Sequence, residues 1–148
     1  MGRSNSKTKR ATRLLRRSRP PAKGRTRSRP TKDADREERI TMEVVVDAHD
    51  GAERAMGWFA YLENELAFPF MARCTHKRAI SPLQAGDEVD VMSMAPAEEC
   101  GHEMFVMIRW ENDGLGVPLS QLEPRRVGRS TGVAIADWQY WVRQGYQF

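Results

Sequence analysis

The 148-residue chain predicts an α+β domain, in which a small curved antiparallel sheet, or partly open SH3-like barrel, packs with an N-terminal and a C-terminal helix. Three observations lead there. Apolar residues recur at helical spacing after residue 50 and again before the C-terminus. Between those stretches lie short apolar or alternating runs bounded by Gly, Pro and Asp. The first 39 residues carry neither pattern.

Residues 1–32 hold 13 Lys or Arg and no Asp or Glu, with little apolar content beyond Leu14 and Leu15. Such a segment cannot bury enough surface to offset the entropy of ordering its backbone. The stretch "RSRPPAKGRTRSRP" favours extended, solvated backbone around its prolines. The expected organisation is therefore a disordered basic tail, 1–39, followed by an acidic domain, 40–148. The latter has nine basic against sixteen acidic residues, net −7, so the overall +4 and the pI of 9.4 describe the tail. The chain has no apolar signal-type core and no membrane-length run, and only two cysteines, which favours a cytoplasmic protein. An Arg- and Ser-rich, acid-free N-terminus also fits an organelle transit peptide.

The domain opens with Ala52, Ala55, Met56, Phe59, Leu62 and Leu66 at spacings of three and four, which predicts a helix over about 50–65. Asp50 is its expected N-cap, with Glu53 completing an approximate capping box. Pro69 forbids continuation, and "AFPFMARC" reads as a strand. In "PLQAGDEVDVMSMAP", Val89 and Val91 alternate with Glu88 and Asp90, the pattern of a half-buried strand. "EMFVMIRW" reads as a central strand. Asp113-Gly114 signals a two-residue hairpin, and "GVPLSQLEP" is the return strand. "RRVGRS" is a polar connection to a last helix in "TGVAIADWQYWVRQGYQF", with Ile135, Trp138 and Val142 on one face, Trp141 beside it and Gly145 ending it. Its aromatics read as packing, with a base-stacking platform as the alternative.

Chemistry concentrates in "EECGHE", residues 98–103. Cys74 with His76 and Cys100 with His102 repeat a Cys-x-His pair, the ligand types of tetrahedral zinc, but zinc knuckles space their cysteines two to four residues apart. Two buried cysteines, each followed by an exposed histidine, is the plainer reading. There is no nucleophile elbow, phosphate-binding glycine loop or H-E-x-x-H, and Cys100 and His102 lack an orienting third group, so no enzyme activity is expected. No EF-hand is present either. "DAHDGAERAMGW" has its glycine at the fifth place and Trp58 at the twelfth. What remains is a set of acid-rich loops, which by composition and spacing read as a solvated acidic surface, with hard oxygen donors of the kind calcium takes six to eight at a time as the alternative.

At this point four segments resemble the CcbP-type calcium-binding family, first associated with cyanobacteria. They are "GWFAYLENELAFPFMARC", "PLQAGDEVDVMSMAPAEECGHEMFVMIRW", "GVPLSQLEP" and "AIADWQYWVRQGYQF", and their order and spacing run through residues 50–148. The resemblance implies a small, acidic, non-EF-hand protein that binds Ca2+ through surface carboxylates, buffering or sensing cytoplasmic calcium. The basic tail departs from that compact form. Acid clustering nominates Glu63, Glu65, Asp87, Glu88, Glu98, Glu99 and Glu103 as metal ligands, with zinc disfavoured, and Asp113 lies in the hairpin. Glu98, Glu99 and Glu103 are expected to converge about the Cys100-Gly101 turn, with the others approaching from neighbouring elements. Few carboxylates and much retained water predict micromolar or weaker affinity.

An alternative function is association with nucleic acid. Arg10, Arg13, Arg16, Arg17 and Arg19 would then form a polycationic arm of salt-dependent, sequence-independent affinity. A third is peptide binding in an aromatic groove lined by Trp58, Trp110 and Tyr140.

Overall fold

Helices at the two ends of the described chain and a five-stranded sheet between them account for most of residues 33–148, the part that the structure, a computed structural model, describes. In chain order the elements are α1 (Ala34–Arg39), a π-helical turn (Ile40–Val44), α2 (Gly51–Glu65), β1 (Phe70–Cys74) and β2 (Glu88–Met94). A 3-10 turn (Ala97–Cys100), β3 (Phe105–Trp110), β4 (Asp113–Pro118), a second 3-10 turn (Leu119–Gln121), β5 (Leu122–Arg125) and α3 (Arg129–Arg143) follow. Every strand pairing is antiparallel, in the order β4-β3-β2-β1-β5. Among the described residues β4 and β5 end the sheet without pairing to each other, so it is open, as the α+β expectation allowed.

α2 forms where the apolar spacing predicts. The Asp50 carboxylate accepts from Glu53 N at 2.8 Å, while the Glu53 side chain reaches back to His49 N rather than to the cap itself. Ala55, Trp58, Leu62 and Leu66 face the core, but Met56 is 70% exposed. The chain leaves the helix at Leu66, where α3 supplies the cap. The Thr131 hydroxyl accepts from Ala67 N at 2.9 Å and donates to Glu65 O at 3.4 Å. Gly57 lets the π-helical turn pack directly on α2, since a Cβ there would stand 2.3 Å from the Val44 carbonyl oxygen.

Four expectations about the strands and the last helix need correction. The two-residue turn is Glu111-Asn112, not Asp113-Gly114, because the last cross-strand pair is Trp110 with Asp113, and Glu111 adopts the left-handed φ of 52°. Burial sets this register, since it places Val106 opposite Val117 with neither exposed. The single return strand is two strands. β4 stops at Pro118, and the 3-10 turn carries the chain to the opposite edge, where Leu122 pairs with Cys74. The strand at the middle of the sheet is β2, with β3 one place toward the β4 edge. The alternation of Glu88, Val89, Asp90 and Val91 holds as expected, and a register shift follows between Val91 and Ser93. In α3 the buried face runs through Ala134, Ile135, Asp137, Trp138 and Trp141, while Val142 is 41% exposed. Gly145, at φ 83°, takes the left-handed conformation just past the helix.

The core lies between the helices and one face of the sheet. Trp58 is fully buried, edge-on to Trp138 at 5.1 Å between ring centres and tilted against Trp141 at 5.5 Å. Leu62, Leu83, Met104, Ile108, Leu119 and Leu122 fill the rest, each contributing roughly 1.5–3 kcal/mol by leaving water. Trp138, Tyr140 and Trp141 are thus packing residues, not an exposed stacking platform. Trp58 and Tyr140 are likewise inside, and Trp110 is half-buried at the end of β3.

Candidate functional site

The sequence-nominated carboxylates fall into two groups once the chain is folded. One group is engaged. Both Glu103 oxygens are held by Arg78, at 2.8 and 2.9 Å, and the same guanidinium donates to Ser120 Oγ at 3.3 Å. That pairing pushes the Arg78 pKa up. Asp87 closes the turn before β2 by accepting from Gln84 N at 2.8 Å. Glu88 lies opposite Arg73 in the sheet and 3.5 Å from the Arg125 guanidinium, and Asp90 is 3.4 Å from that of Arg109.

The other group has no basic partner among the described residues: Glu63, Glu65, Glu98, Glu99 and Asp113. Asn64 donates to Glu65 at 3.0 Å. Glu98 and Glu99 are exposed and sit side by side in the first 3-10 turn. This turn lies against the first half of α2, where Glu98 and Cys100 share a groove with Gly51, Ala52, Ala55, Met56 and Phe59. Glu63 and Glu65 stand at the far end of α2, where they line a separate cleft with Glu43 and Tyr61. At 1.5 Å per residue the seven residues from Met56 to Glu63 put roughly 10 Å between these places. Helix α2 therefore separates acids that the sequence reading gathers at one place.

The donors are the hard oxygens that calcium takes, yet among the described residues no three His, Cys, Asp or Glu side chains converge as a metal-holding group. A cation at this surface would be held by one or two carboxylates, with backbone carbonyls and water completing its shell. The thiols are turned inward. Cys74 donates to the His76 carbonyl oxygen at 3.2 Å, and Cys100 Sγ accepts from Phe105 N at 3.4 Å. Burial pushes the Cys100 thiol pKa up, with Glu99 and Glu98 adding to the effect. His76 lines a different cleft of about 370 Å³ beside the Arg78–Glu103 pair, and His102 lines both that cleft and the Glu98 groove. Arg10, Arg13, Arg16, Arg17 and Arg19 lie outside the described residues, as does most of the expected tail. Among the described residues no helix is long and apolar enough to cross a membrane.

The sequence reading missed the most tightly held carboxylate of all. Asp137, with no exposed surface, accepts from Arg36 Nη1 at 2.6 Å, Arg39 Nε at 2.9 Å, Arg39 Nη2 at 2.8 Å and the Tyr61 hydroxyl at 2.7 Å. Both arginines come from α1, inside the span assigned to the tail. Glu37 adds to the tie by accepting from Tyr140 at 2.6 Å and from Tyr146 at 2.9 Å, although α1 itself buries no residue. Burial, then the bond to Asp137, pushes the Tyr61 pKa up, and the same bond pushes that of Arg39 up. A signal for this knot was present. Asp137 stands in step with Ala134, Trp138 and Trp141, an acid on an apolar face, and Arg36 and Arg39 share a helical spacing in "DADREER".

Comparison with known proteins covers most of the described residues. The model of a family described as calcium binding, of the CcbP type, matches residues 38–142. The crystal structure of Anabaena CcbP is 41% identical, with a TM-score of 0.72, covering 80% of this chain and 98% of that one. A calcium-binding protein in its calcium-binding form is 40% identical, with a TM-score of 0.71, over 79% of this chain and 96% of the other. No curated protein is detectably similar to the chain.

Proposed function

The chain belongs to the CcbP-type calcium-binding family, and from that premise we propose that it binds Ca2+ at surface carboxylates and thereby buffers or senses calcium in the cytoplasm. The observation that carries this reading is the 41% identity to a CcbP structure across 98% of that protein, which spans the acid-bearing turns as well as the core. Glu98 and Glu99 are the preferred ligands, with Glu63 and Glu65 as a second, weaker place. These four need no arginine displaced before they can accept a cation, whereas Glu103 and Glu88 would first have to leave Arg78 and Arg125.

The mechanism is electrostatic. Adjacent exposed carboxylates repel each other, and a divalent ion removes that cost while keeping much of its own water. Because the groups face solvent, salt screens both the repulsion and the attraction. Affinity is accordingly micromolar or weaker, without a rigid cage to exclude competing ions. Calorimetric titration of the full chain with calcium chloride tests the reading. A saturating heat that shrinks with added sodium chloride is expected, and no heat at millimolar calcium refutes it.

A further inference from the structure

The groove that Glu98 borders is lined mainly by apolar side chains, and buffering a hydrated ion gives it no role. It encloses about 430 Å³ between the first half of α2 and the Ala97–Cys100 turn. That size lies within the roughly 300–1,000 Å³ of clefts that hold ligands. Ala52, Ala55, Met56, Phe59 and Phe148 line it. Met56 is 70% exposed, the most exposed large apolar side chain among the described residues, although it sits on an otherwise well-packed helix. An unbranched, polarisable methionine at such a place adapts to varied apolar partners. Besides the Cys100 thiol, Glu98 and His102 are the ionisable side chains of the lining, and exposed Glu99 is the neighbour of Glu98 in the chain.

We propose that this groove docks a basic amphipathic segment of a partner protein, and that calcium at Glu98 weakens the docking. The apolar lining asks for apolar anchors, which a free inorganic ion does not have. The acidic lip, on a body of net −7 over residues 40–148, disfavours anionic ligands in the groove itself and attracts lysine and arginine there. An amphipathic helix with leucine-like anchors on one face and cations along its edge satisfies both demands. Calcium occupying Glu98 cancels the charge that the partner's cations would meet, so ion and partner compete at the lip while the apolar contact persists. The calcium half rests on the function proposed above, and the docking half does not.

The test uses the full chain and a fluorescein-labelled Leu/Lys amphipathic peptide of about 18 residues, or five helical turns. A control peptide replaces every Lys by Glu on the same apolar face. Anisotropy should show saturable binding of the Lys peptide alone. Met56→Glu should weaken it by about tenfold or more, as loss of a central apolar contact does. Glu98→Gln should weaken it by about threefold and abolish the further weakening caused by millimolar calcium. Both side chains are exposed, so the variants should fold, and circular dichroism checks that they do. Absent saturable binding, equal binding of the Glu peptide, or binding indifferent to Met56→Glu overturns the proposal. So does sedimentation showing that the wild-type chain self-associates and Met56→Glu makes it monomeric, because the occupant is then a second copy. Peptide binding that depends on Met56 in a chain giving no heat with calcium ends the calcium coupling and the proposed function together, and leaves the docking standing. Heat with calcium but no peptide binding ends the docking alone.

Discussion

Asp137 and Glu98 are both carboxylates on helical backbone, one within α3 and one in the Ala97–Cys100 turn, and the protein treats them in opposite ways. Asp137 is fully buried and accepts four hydrogen bonds, three from arginines that carry full charge. Glu98, like its neighbour Glu99, is exposed and has no basic partner among the described residues. A charge removed from water must be met by protein groups or it destabilises the fold, so the buried acid becomes a structural tie between α1 and α3. An acid left in water keeps its hydration and can exchange it for an ion. The difference teaches that position, not residue type, decides which carboxylate the fold ties down and which it leaves in water.

The sharpest way to break the comparison is to remove the buried acid. Asp137→Ala leaves two guanidinium groups and a tyrosine hydroxyl without their acceptor, and should cost about 3–5 kcal/mol in urea denaturation. Its calcium titration, measured where the variant is still folded, should match the wild type. A loss below about 1 kcal/mol would mean that water replaces the carboxylate at no penalty.

Tyr61→Phe removes one donor from the same knot and should cost about 2 kcal/mol, the scale of a hydrogen bond to a charged acceptor. It also carries a pH signature. Tyr61 has its folded pKa raised above the ordinary value of about 10, so the unfolded chain releases the proton first. That contribution to stability is whole below about pH 10 and is lost as pH rises through the folded pKa. Chemical denaturation from pH 8 to 11 should therefore show an alkaline decline that is shallower in Tyr61→Phe. Tyr140, raised by burial and by its bond to Glu37, accounts for part of what remains.

At the exposed acids the expected effects are smaller and move to another observable. Glu98→Gln with Glu99→Gln should weaken calcium binding by about five- to tenfold, near 1 kcal/mol, while stability changes by less than about 0.5 kcal/mol. Glu103→Gln, whose oxygens Arg78 already holds, should leave calcium affinity within about twofold in the same calorimetric assay. Smallest of all, Arg125→Gln should alter stability by less than about 0.5 kcal/mol, because its pairing with Glu88 is long and solvent-exposed.

Much of the frame was legible in the sequence because it obeys local rules. Asp50, the three-and-four spacing after it, Pro69 and the alternation at Val89 and Val91 each act within a few residues. The resemblance to the calcium-binding family was legible too, since it rests on the order of whole segments. Where the reading erred, a distant partner overrode a local signal. Val106 against Val117 moved the turn off Asp113-Gly114, and pairing with β1 split "GVPLSQLEP" into two strands. Met56 and Val142 keep helical spacing but fall just outside the buried arc.

By itself, then, the sequence determined the fold class and the acidic character of the body, because composition and periodicity need no partners to act. Calcium entered only through the likeness of whole segments to a family. Tertiary structure alone decided which acids stay exposed. Arg78 reaches Glu103 across 25 positions, and Arg36 reaches Asp137 across 101. Charges interact through space, so no pattern along the chain reveals which carboxylate a cation has already claimed.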